Sequence, residues 1–403
     1  MHFGSRVPHR AQRFLYRVLQ PAMVVGVAVA LLVSSGGPAT ARTVAAAPPA
    51  ARPAPGDVVQ AQPTTIHLDP LGLLPLPVHA WHVQYRSTSA LGTPNVVSGT
   101  VLVPFLPYGG DRPIIGYAPG THGMGDQCAA SQKLADGQDV ELLVIGQLLL
   151  RGWAVAVTDY EGLGTPGDHT YAVGVSEGHA VLDIARAASR VSGAGLSATA
   201  PVMIYGYSQG GQAAGWAAQQ AATYAPELPV KGVAAGGVPA DLERVLHNLE
   251  GTSNFGLAFA AGAGFDTAYP ELHLARYLNP RGLAILDRLR GECSDSELAG
   301  LRLSDLTTSD PMTTPAWQAR LQENRLGAIA PKVPVLLYHG EADEIIPYGV
   351  GTTLKDDWCA KGAAVTWVSY AGASHVGAAA EGSLMVTDWI HRLLYGDDIP
   401  NSC

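Results

Sequence analysis

One stretch, residues 201–211, constrains the possible fold more than any other part of the chain. The apolar run PVMIY leads into the Gly-x-Ser-x-Gly motif GYSQG, and small residues compatible with a helix follow from Ala213 to Ala222. This pattern is typical of a buried strand that turns sharply into a helix, with the serine hydroxyl projecting from the turn above the helix N-terminus. The glycines of the motif relieve crowding in so tight a turn. We therefore expect a strand–turn–helix unit, with Ser208 as a candidate nucleophile.

The Gly-x-Ser-x-Gly pattern occurs a second time, at residues 174–178, around Ser176. Chance matches are expected in a chain with 47 glycines, so sequence context has to separate the two. The second match follows the turn-rich segment GTPGD at 164–168, with no apolar run of strand length before it. Serine is a preferred N-cap residue, and an apolar periodic stretch follows. Ser176 is therefore expected to cap a helix that begins near Glu177.

The N-terminus carries the pattern of an export signal. Arginines are followed by an apolar run from Ala22 to Val33 and then by Ala39-Thr40-Ala41, which matches the charged region, apolar core and cleavage site of a signal peptide. We expect residues 1–41 to be removed by cleavage after Ala41 and the protein to be secreted. Because the apolar core is short for a membrane span, a retained membrane helix is the less favoured alternative. Residues 42–56, rich in Ala and Pro, are expected to form a flexible or semi-extended leader.

Composition narrows the class of partner. The formal net charge is −9 at pH 7, and it becomes more negative once the arginines of the signal peptide are removed. Such a balance argues against a nucleic-acid partner, which requires clustered positive charge. The chain from Asp57 onwards is long enough for one large α/β domain with an insertion, or for two domains.

Apolar segments of strand length alternate with segments of helix length along much of the chain. Strands are expected at 78–85, 96–103, 113–117, 153–157, 202–205, 230–235, 333–338 and 365–368. Helices are expected at 140–151, 178–191, 212–224 and 384–394. The first two strands are joined by a Gly/Pro/Asn turn, which predicts an antiparallel hairpin at a sheet edge. The rest predicts an α/β fold with a mostly parallel central sheet and helices on both faces.

The strand pattern stops between Val238 and about Leu326, where the sequence becomes helical and rich in Gly and Ala. Helical segments are expected there at 242–249, 255–265, 272–277, 283–289 and 317–324. We interpret residues 238–326 as a helical cap, or lid, inserted into a core formed by 57–237 and 327–403. A cap of this kind can shield an apolar substrate from water, although a helical insert can also merely enlarge the core.

A serine hydroxyl becomes an effective nucleophile when a histidine takes its proton, and a carboxylate must orient that histidine. On a sheet of this kind the chain order is Ser, then acid, then His. The strand-like segment VLLY at 335–338 runs into the acid-rich turn HGEADEIIP. Asp343 is preferred over Glu341 and Glu344 because it lies mid-turn, before the closing Pro347. The alternative is that this loop aspartate only caps the next helix.

The preferred base is His375, in the small-residue segment AGASHVG at 371–377 that directly follows the last predicted strand. Its position after the acid satisfies the required chain order. The other histidines considered fit that order less well: His339, which ends the strand before the acid, His391 in the last helix, and His169 and His179, which precede the nucleophile.

Attack of a serine on a carbonyl group also needs two backbone N–H donors for the developing oxyanion. One is expected from Gln209, the residue after the nucleophile, and the other from the loop after an early strand. The segment GTHGMGD at 120–126 follows such a strand, and the amide of His122 is the preferred donor, with Thr121 next. The alternative is that this segment is only a glycine-rich turn.

The chain has four cysteines, Cys128, Cys293, Cys359 and Cys403. In a protein that folds outside the cytoplasm they predict two disulfides, and spacing alone leaves all three pairings open. The sequence has no Cys-x-x-Cys or His-x-x-x-His spacing, so no metal site and no cofactor are expected.

Three motifs together resemble the secretory lipase family of actinobacteria and fungi: YAPGTHGMGDQC at 117–128, DYEGLGTPG at 159–167 and GYSQGG at 206–211. The resemblance implies an α/β-hydrolase fold with a lid and a Ser-Asp-His triad at Ser208, Asp343 and His375. It also implies activity on carboxylic esters, including acylglycerols. Finally, it implies one disulfide between Cys128 and Cys293 and another between Cys359 and Cys403.

The leading functional hypothesis is a secreted serine esterase or lipase that works through an acyl-enzyme. Its partners would be an acyl ester or lipid and, transiently, a lipid interface; the oligomeric state stays open. One alternative is acyl transfer to an alcohol at the same triad. Another is a non-catalytic exported protein that keeps the hydrolase scaffold. A peptidase is less attractive, since nothing in the sequence indicates peptide recognition.

Overall fold

A computed structural model describes residues 53–294 and 296–403. The predicted signal peptide and most of the predicted leader lie outside these residues. Nine strands form one sheet: β1 (Val58–Thr64), β2 (Val78–Thr88), β3 (Pro94–Pro104), β4 (Ile114–Ala118), β5 (Ala154–Thr158), β6 (Val202–Tyr207), β7 (Val230–Gly236), β8 (Val335–Gly340) and β9 (Val365–Tyr370). Within the described chain, no helix combines the length and the apolar character that crossing a bilayer requires.

The sheet is antiparallel at one end and parallel over the rest. Its strand order is β1-β2-β3-β5-β4-β6-β7-β8-β9. The first four strands in this order pair antiparallel, and all later neighbours pair parallel. The predicted hairpin is β2–β3, but it lies one strand in from the edge. The edge strand β1 was not predicted, because its sequence VVQAQPT is largely polar and includes Pro63, which an edge strand tolerates.

Eleven α-helices surround this sheet in the described residues. They are α1 (Ala130–Ala135), α2 (Leu142–Leu150), α3 (Gly174–Ala188), α4 (Gln209–Tyr224), α5 (Leu242–Leu249), α6 (Phe255–Ala268), α7 (Pro280–Leu289), α8 (Leu303–Leu306), α9 (Pro315–Glu323), α10 (Tyr348–Ala360) and α11 (His375–Tyr395). Helices α3 and α4 share a buried apolar cluster with Ile204 of β6. Helices α2 and α11 share another with Met203, the neighbouring residue. Successive side chains of β6 therefore pack on opposite faces of the sheet, as expected for a pleated strand.

Helices α5 to α9 lie between β7 and β8, in the segment expected to form the cap. Their apolar side chains, including those of Phe255, Phe265 and Trp317, form a separate buried cluster. The helix expected at 272–277 is instead two short 3₁₀ helices, Pro270–Leu272 and Leu274–Arg276. His273 between them has φ 46° in the left-handed region, which interrupts regular helical geometry.

The starts of α3 and α11 differ most from the sequence prediction. Helix α3 begins at Gly174 and its N-cap is Val173, so the expectation that Ser176 caps the helix is wrong. The Ser176 hydroxyl lies inside the first turn and donates to the Val173 carbonyl, a local bond that serine readily makes. Helix α11 begins at His375 itself, nine residues before the predicted start, because Ser374 caps it by accepting from the Gly377 amide.

Candidate active site

Ser208 lies at the turn between β6 and α4. Its φ is 60° and its ψ is −122°, a conformation that is strained for a residue with a side chain. The Ser208 amide donates to the Gly236 carbonyl, 3.0 Å away, and the Ser208 carbonyl accepts from the Gln212 amide at 2.9 Å. These bonds join the turn to the neighbouring strand and to the first turn of α4, so the strained backbone is held from both sides.

The glycines around Ser208 are required by close backbone approach. A Cβ atom on Gly206 would overlap the carbonyl oxygen of Gly210, and a Cβ on Gly210 would overlap the carbonyl oxygen of Ala118 at the end of β4. The turn can therefore pack against itself and against the end of the adjacent strand. The strand–turn–helix pattern read from the sequence corresponds to this backbone.

Asp343 and His375 are in direct contact. The His375 Nδ1–H donates to Asp343 Oδ2 at 2.7 Å, and both side chains are almost fully buried. The other carboxylate oxygen accepts from the amides of Ile345 and Ile346 at 3.0 and 2.8 Å. The carboxylate is thus held rigidly in its turn and fixes the orientation of the imidazole, as a triad acid does.

Other residues considered at the sequence level take different positions around this pair. Glu344 Oε2 accepts from the backbone amide of His375 at 3.0 Å, so it contacts the first turn of α11 rather than the imidazole. Glu341 is exposed. His339 is buried, and its Nε2 lies 3.2 Å from Asp343 Oδ2 and 2.9 Å from the carbonyl oxygen of Ile346. His339 therefore helps to hold the Asp343 carboxylate in place. Sequence analysis considered His339 only as a base and did not predict this contact.

The environment of Asp343 stabilises its ionised form. Burial alone would raise the pKa of this carboxyl group, but hydrogen bonds from His339 and His375 outweigh burial and hold the pKa well below its usual range. The carboxylate is therefore charged at neutral pH, which is the state that can stabilise an imidazolium at His375.

His375 lies next to the turn that carries Ser208. The hydroxyl of Tyr207 donates to the His375 carbonyl at 2.7 Å, and the two ring centroids are 5.0 Å apart. In the part of the chain that the structure describes, the side-chain bond of His375 is to Asp343, and no hydrogen bond joins Ser208 Oγ to the imidazole. The structure thus pairs His375 with Asp343 and brings this pair beside the β6–α4 turn that carries Ser208, which we call the elbow.

The loop that follows β4, residues 119–125, is anchored by side chains along its length; we refer to it as the β4 loop. The Gly120 amide donates to both carboxylate oxygens of Glu141 at 3.1 and 3.2 Å. The Gly120 carbonyl accepts from Nδ1–H of His122 at 2.8 Å. A Cβ on Gly120 would lie 3.6 Å from the Tyr207 carbonyl oxygen, so this loop packs against the elbow. The Thr121 hydroxyl bonds to that of Tyr171 at 2.8 Å.

His122 forms an ion pair with Asp139, with 3.2 Å between Nε2 and Oδ2. Burial disfavours the imidazolium, but the hydrogen bond and charge of Asp139, together with Glu141, raise the pKa of His122 to about 9. Burial raises the pKa of Glu141 to about 7. Ligand atoms of these three residues lie within 4.8 Å of one another, a set that could hold a cation. Both imidazole nitrogens already donate hydrogen bonds, so a protonated histidine accounts for the cluster without a metal.

Ser208 and Gln209 line a cavity between the sheet and the cap, with about 700 Å³ of free space including its open side. Most of its wall is apolar and comes from the cap. The lining residues from 238–326, the segment expected to form the cap, are Pro239, Leu242, Val245, Leu246, Leu249, Leu257, Ala258, Ala261, Gly262, Phe265, Met312, Trp317 and Leu321. His122 instead lines a second cavity, with about 620 Å³ of free space including its open side, that shares Tyr171 and Leu257 with the first.

The four cysteines form two disulfides. Cys128–Cys293 joins the segment after the β4 loop to the cap, and Cys359–Cys403 joins α10 to the C-terminus. Of the three pairings that spacing left open, the structure has the one that the family resemblance implies.

Glu177 is a buried residue at the site that sequence reasoning missed. It lies in α3, one turn in from the helix start, and contacts the side chain of Gln209. In the sequence, Glu177 is marked only by the second Gly-x-Ser-x-Gly match, which was considered for the role of Ser176. Burial raises the pKa of Glu177 to about 8, although bonds from Gln209 and Ala172 oppose the shift.

Comparison with known proteins places this chain in a family. The sequence profile of the family described as secretory lipase matches residues 130–400. The chain belongs to the secretory lipase family. A secreted triacylglycerol lipase of Malassezia globosa is 30% identical over 84% of this chain and 75% of its own length. A probable inactive lipase of Mycobacterium tuberculosis is 30% identical over 83% of this chain and 78% of its own length.

Solved structures agree with this membership. Candida antarctica lipase A in its closed state superposes with a TM-score of 0.78 at 25% identity, covering 87% of this chain and 85% of that chain. The rice cell wall degrading esterase LipA from Xanthomonas oryzae shares the fold, with a TM-score of 0.67 at 22% identity over 85% of this chain and 97% of that one. The predicted α/β-hydrolase fold and family resemblance are confirmed, and the chain is a carboxylic-ester hydrolase of the lipase type.

Proposed function

We propose that this protein is a secreted serine esterase or lipase that hydrolyses acyl esters such as acylglycerols through an acyl-enzyme at Ser208. The hydrogen bond from His375 to Asp343, formed beside the elbow, is the observation that carries the proposal. Secretion is supported by the signal-like pattern of residues 1–41 and by secreted relatives. In this proposal residues 238–326 form the cap, and 57–237 with 327–403 form the catalytic core.

In the first half of the reaction, Ser208 Oγ attacks the ester carbonyl while His375 Nε2 takes its proton. Asp343, charged and held by two backbone amides, stabilises the imidazolium that results. The oxyanion accepts hydrogen bonds from the amide of Gln209 and from the amide of His122 or Thr121 in the β4 loop. The imidazolium then gives its proton to the departing alcohol, which leaves an acyl group on Ser208.

In the second half, His375 takes a proton from water as the water oxygen attacks the acyl carbonyl. The bond from the acyl carbon to Ser208 Oγ then breaks, the imidazolium returns its proton to Ser208 Oγ, and the carboxylic acid leaves. Because the cavity wall beside Ser208 is mostly apolar, we assign it to the acyl chain of the substrate. This supports an ester with an aliphatic acyl group rather than a charged or sugar-like one.

The test compares Ser208→Ala with Ser176→Ala on p-nitrophenyl esters from acetate to palmitate, together with labelling by a fluorophosphonate probe. Ser208→Ala should lower kcat by at least about 10³-fold and abolish labelling, since removal of a triad nucleophile has effects of this order or larger. Ser176→Ala should keep most activity and label normally. Equal losses in two folded variants would contradict the assignment.

A non-catalytic role is the second candidate, because one relative of comparable similarity is named a probable inactive lipase. Wild-type protein that binds esters but neither turns them over nor reacts with the probe would support that role instead. Adding an alcohol to the assay and analysing the products separates hydrolysis from acyl transfer at the same triad.

A further inference from the structure

Glu177 is the one acidic side chain among the described residues that is bonded to the side chain of Gln209. It is completely buried, in the first turns of α3. Its Oε1 accepts from Gln209 Nε2 at 2.8 Å and from the Ala172 amide at 2.9 Å. Both bonded residues line the cavity beside Ser208. One carboxyl oxygen thus joins two parts of the cavity wall that are 37 positions apart in the chain.

The side-chain amide of Gln209 has a buried acceptor for each of its two N–H bonds. His169 Nδ1 donates to the Glu161 carbonyl at 2.9 Å, so its Nε2 is the acceptor in the neutral ring. Gln209 Nε2 lies 3.4 Å from that acceptor and 2.8 Å from Glu177 Oε1. Burial lowers the pKa of His169 to about 4, which keeps the ring neutral. The nitrogen of the Gln209 side chain is therefore held between two buried acceptors.

The second oxygen of Glu177 lacks a hydrogen-bond partner, which indicates that the carboxyl group is protonated. Oε2 is buried and has no hydrogen-bond partner among the described residues. An ionised carboxylate in such a place would be costly, whereas a carboxylic acid leaves only one unpaired O–H. Its titratable neighbours Tyr160 and His169 carry no positive charge that would stabilise the ionised form. Glutamine is consequently a close mimic of Glu177 as it exists in this fold.

We propose that Glu177 is a positioning residue for ester hydrolysis, acting through the side chain of Gln209 to hold the backbone N–H of Gln209 toward the substrate oxyanion. The inference rests on the proposed function. Without the Glu177 carboxyl group, the Gln209 side chain loses its anchor and can turn into the cavity, and the Ala172 amide loses its buried acceptor. Loss of this anchor should destabilise the transition state more than the bound substrate, because negative charge develops on the carbonyl oxygen only as the reaction proceeds.

The experiment measures kcat and KM on p-nitrophenyl butyrate for the wild type and for Glu177→Ala, Glu177→Gln, Gln209→Ala and the Glu177→Ala/Gln209→Ala double variant. Glu177→Ala should lower kcat at least about tenfold with KM within threefold, as expected when an oxyanion donor is misplaced. Glu177→Gln should stay within threefold of wild-type kcat. The double variant should be no slower than the slower single variant, because both act through one contact.

The matched control is Asp183→Asn, in the same helix. Asp183 is also fully buried and bonds to Ser87, Arg186 and Tyr224, none of which lines the cavity beside Ser208. This variant should lose stability and keep kcat. If Glu177→Ala and Asp183→Asn have the same kcat, or if the losses of the two single variants multiply in the double variant, the inference is overturned.

Ser208→Ala, measured alongside, separates the two proposals. If wild-type protein shows no ester hydrolysis that Ser208→Ala removes, the proposed function itself fails. If it does show such hydrolysis and kcat is insensitive to Glu177→Ala, only the positioning role fails.

Should Glu177→Ala not fold, Gln209→Leu removes the bonded amide and leaves Glu177 in place. Its kcat should then fall about tenfold, and a value within twofold of wild type would overturn the inference.

Discussion

The side chains around Ser208 owe their chemistry to contacts that differ between near neighbours in sequence. Asp343 and Glu344 are adjacent, yet one carboxylate binds the His375 imidazole and the other binds the His375 backbone amide. Asp343 also receives His339, so two imidazoles face one carboxylate. These bonds lower the pKa of Asp343. In the proposed reaction Asp343, and not Glu344, is therefore the carboxylate that stabilises the imidazolium.

At this scale we predict that Asp343→Asn lowers kcat by about 10³- to 10⁴-fold while ester binding persists, because the amide cannot stabilise the imidazolium and favours the wrong tautomer. Steady-state kinetics on a short p-nitrophenyl ester is the measurement. Glu341→Gln, an exposed change in the same turn, is the control and should stay near wild type. A loss of less than about tenfold for Asp343→Asn would argue against its role as the triad acid.

At the scale of secondary-structure elements, a hydrogen bond and a disulfide join the β4 loop and the residues just after it to residues 238–326, the segment proposed as the cap. The Met124 amide donates to the Glu292 carbonyl at 2.9 Å, and the neighbouring disulfide Cys128–Cys293 covalently links the two segments. Strands β2 to β9 were predictable because each is a short apolar or alternating run between turns. Strand β1, helix α10 and the first part of α11 were not, since their sequences are polar or rich in Gly and Ala and lack a clear periodic signal.

The disulfides should differ in their effect on activity. Replacing Cys128 and Cys293 together by Ala should lower the free energy of unfolding by roughly 2–5 kcal/mol and also lower kcat/KM, because the β4 loop loses its tie to the cap. The Cys359→Ala/Cys403→Ala variant should lose stability with little change in kcat/KM. Thermal unfolding and ester kinetics on both pairs test this. Equal effects of the two pairs on kcat/KM would contradict it.

In the proposed function, the helices of residues 238–326 also determine which acyl chains fit. Ala261 of α6 lines the cavity beside Ser208, so Ala261→Trp should fill part of it. We expect kcat/KM for palmitate esters to fall more than about tenfold while that for acetate stays within threefold, since only the long chain needs the filled volume. Ala299→Trp, at an exposed position of the cap, is the control. A parallel loss for both esters would show that the cavity does not bind the acyl chain.

Across the whole molecule, several buried groups hold protons that the unfolded chain releases. The pKa of Glu177 rises from 4.5 to about 8 and that of His122 from 6.5 to about 9. Between pH 6.5 and 8 the folded state therefore binds more protons than the unfolded state, so stability falls as pH rises. The lowered pKa values of His169 and His179, about 4, act in the opposite direction, but only below pH 6.5.

We accordingly predict that the thermal midpoint decreases by several degrees from pH 6.5 to pH 8.5. Glu177→Gln removes one of the contributing protons, so its midpoint should fall less steeply, and the variant should exceed the wild type by the largest margin above pH 8. Scanning calorimetry across this range measures both effects. Parallel slopes for the two proteins would mean that Glu177 does not hold its proton in the folded state.

Local pattern was sufficient for the strand–Ser208–helix unit and for the alternation of strands and helices. Such features depend on residues close in sequence, where the spacing of apolar side chains and turn residues reports burial directly. Chain order and turn position favoured Asp343 over its acidic neighbours, but only the tertiary structure brings Asp343 into contact with His375 and Glu177 of α3 into contact with Gln209 of α4. Those contacts join residues 32 positions apart in both cases, and only the packing of the sheet and its helices brings them within hydrogen-bonding distance.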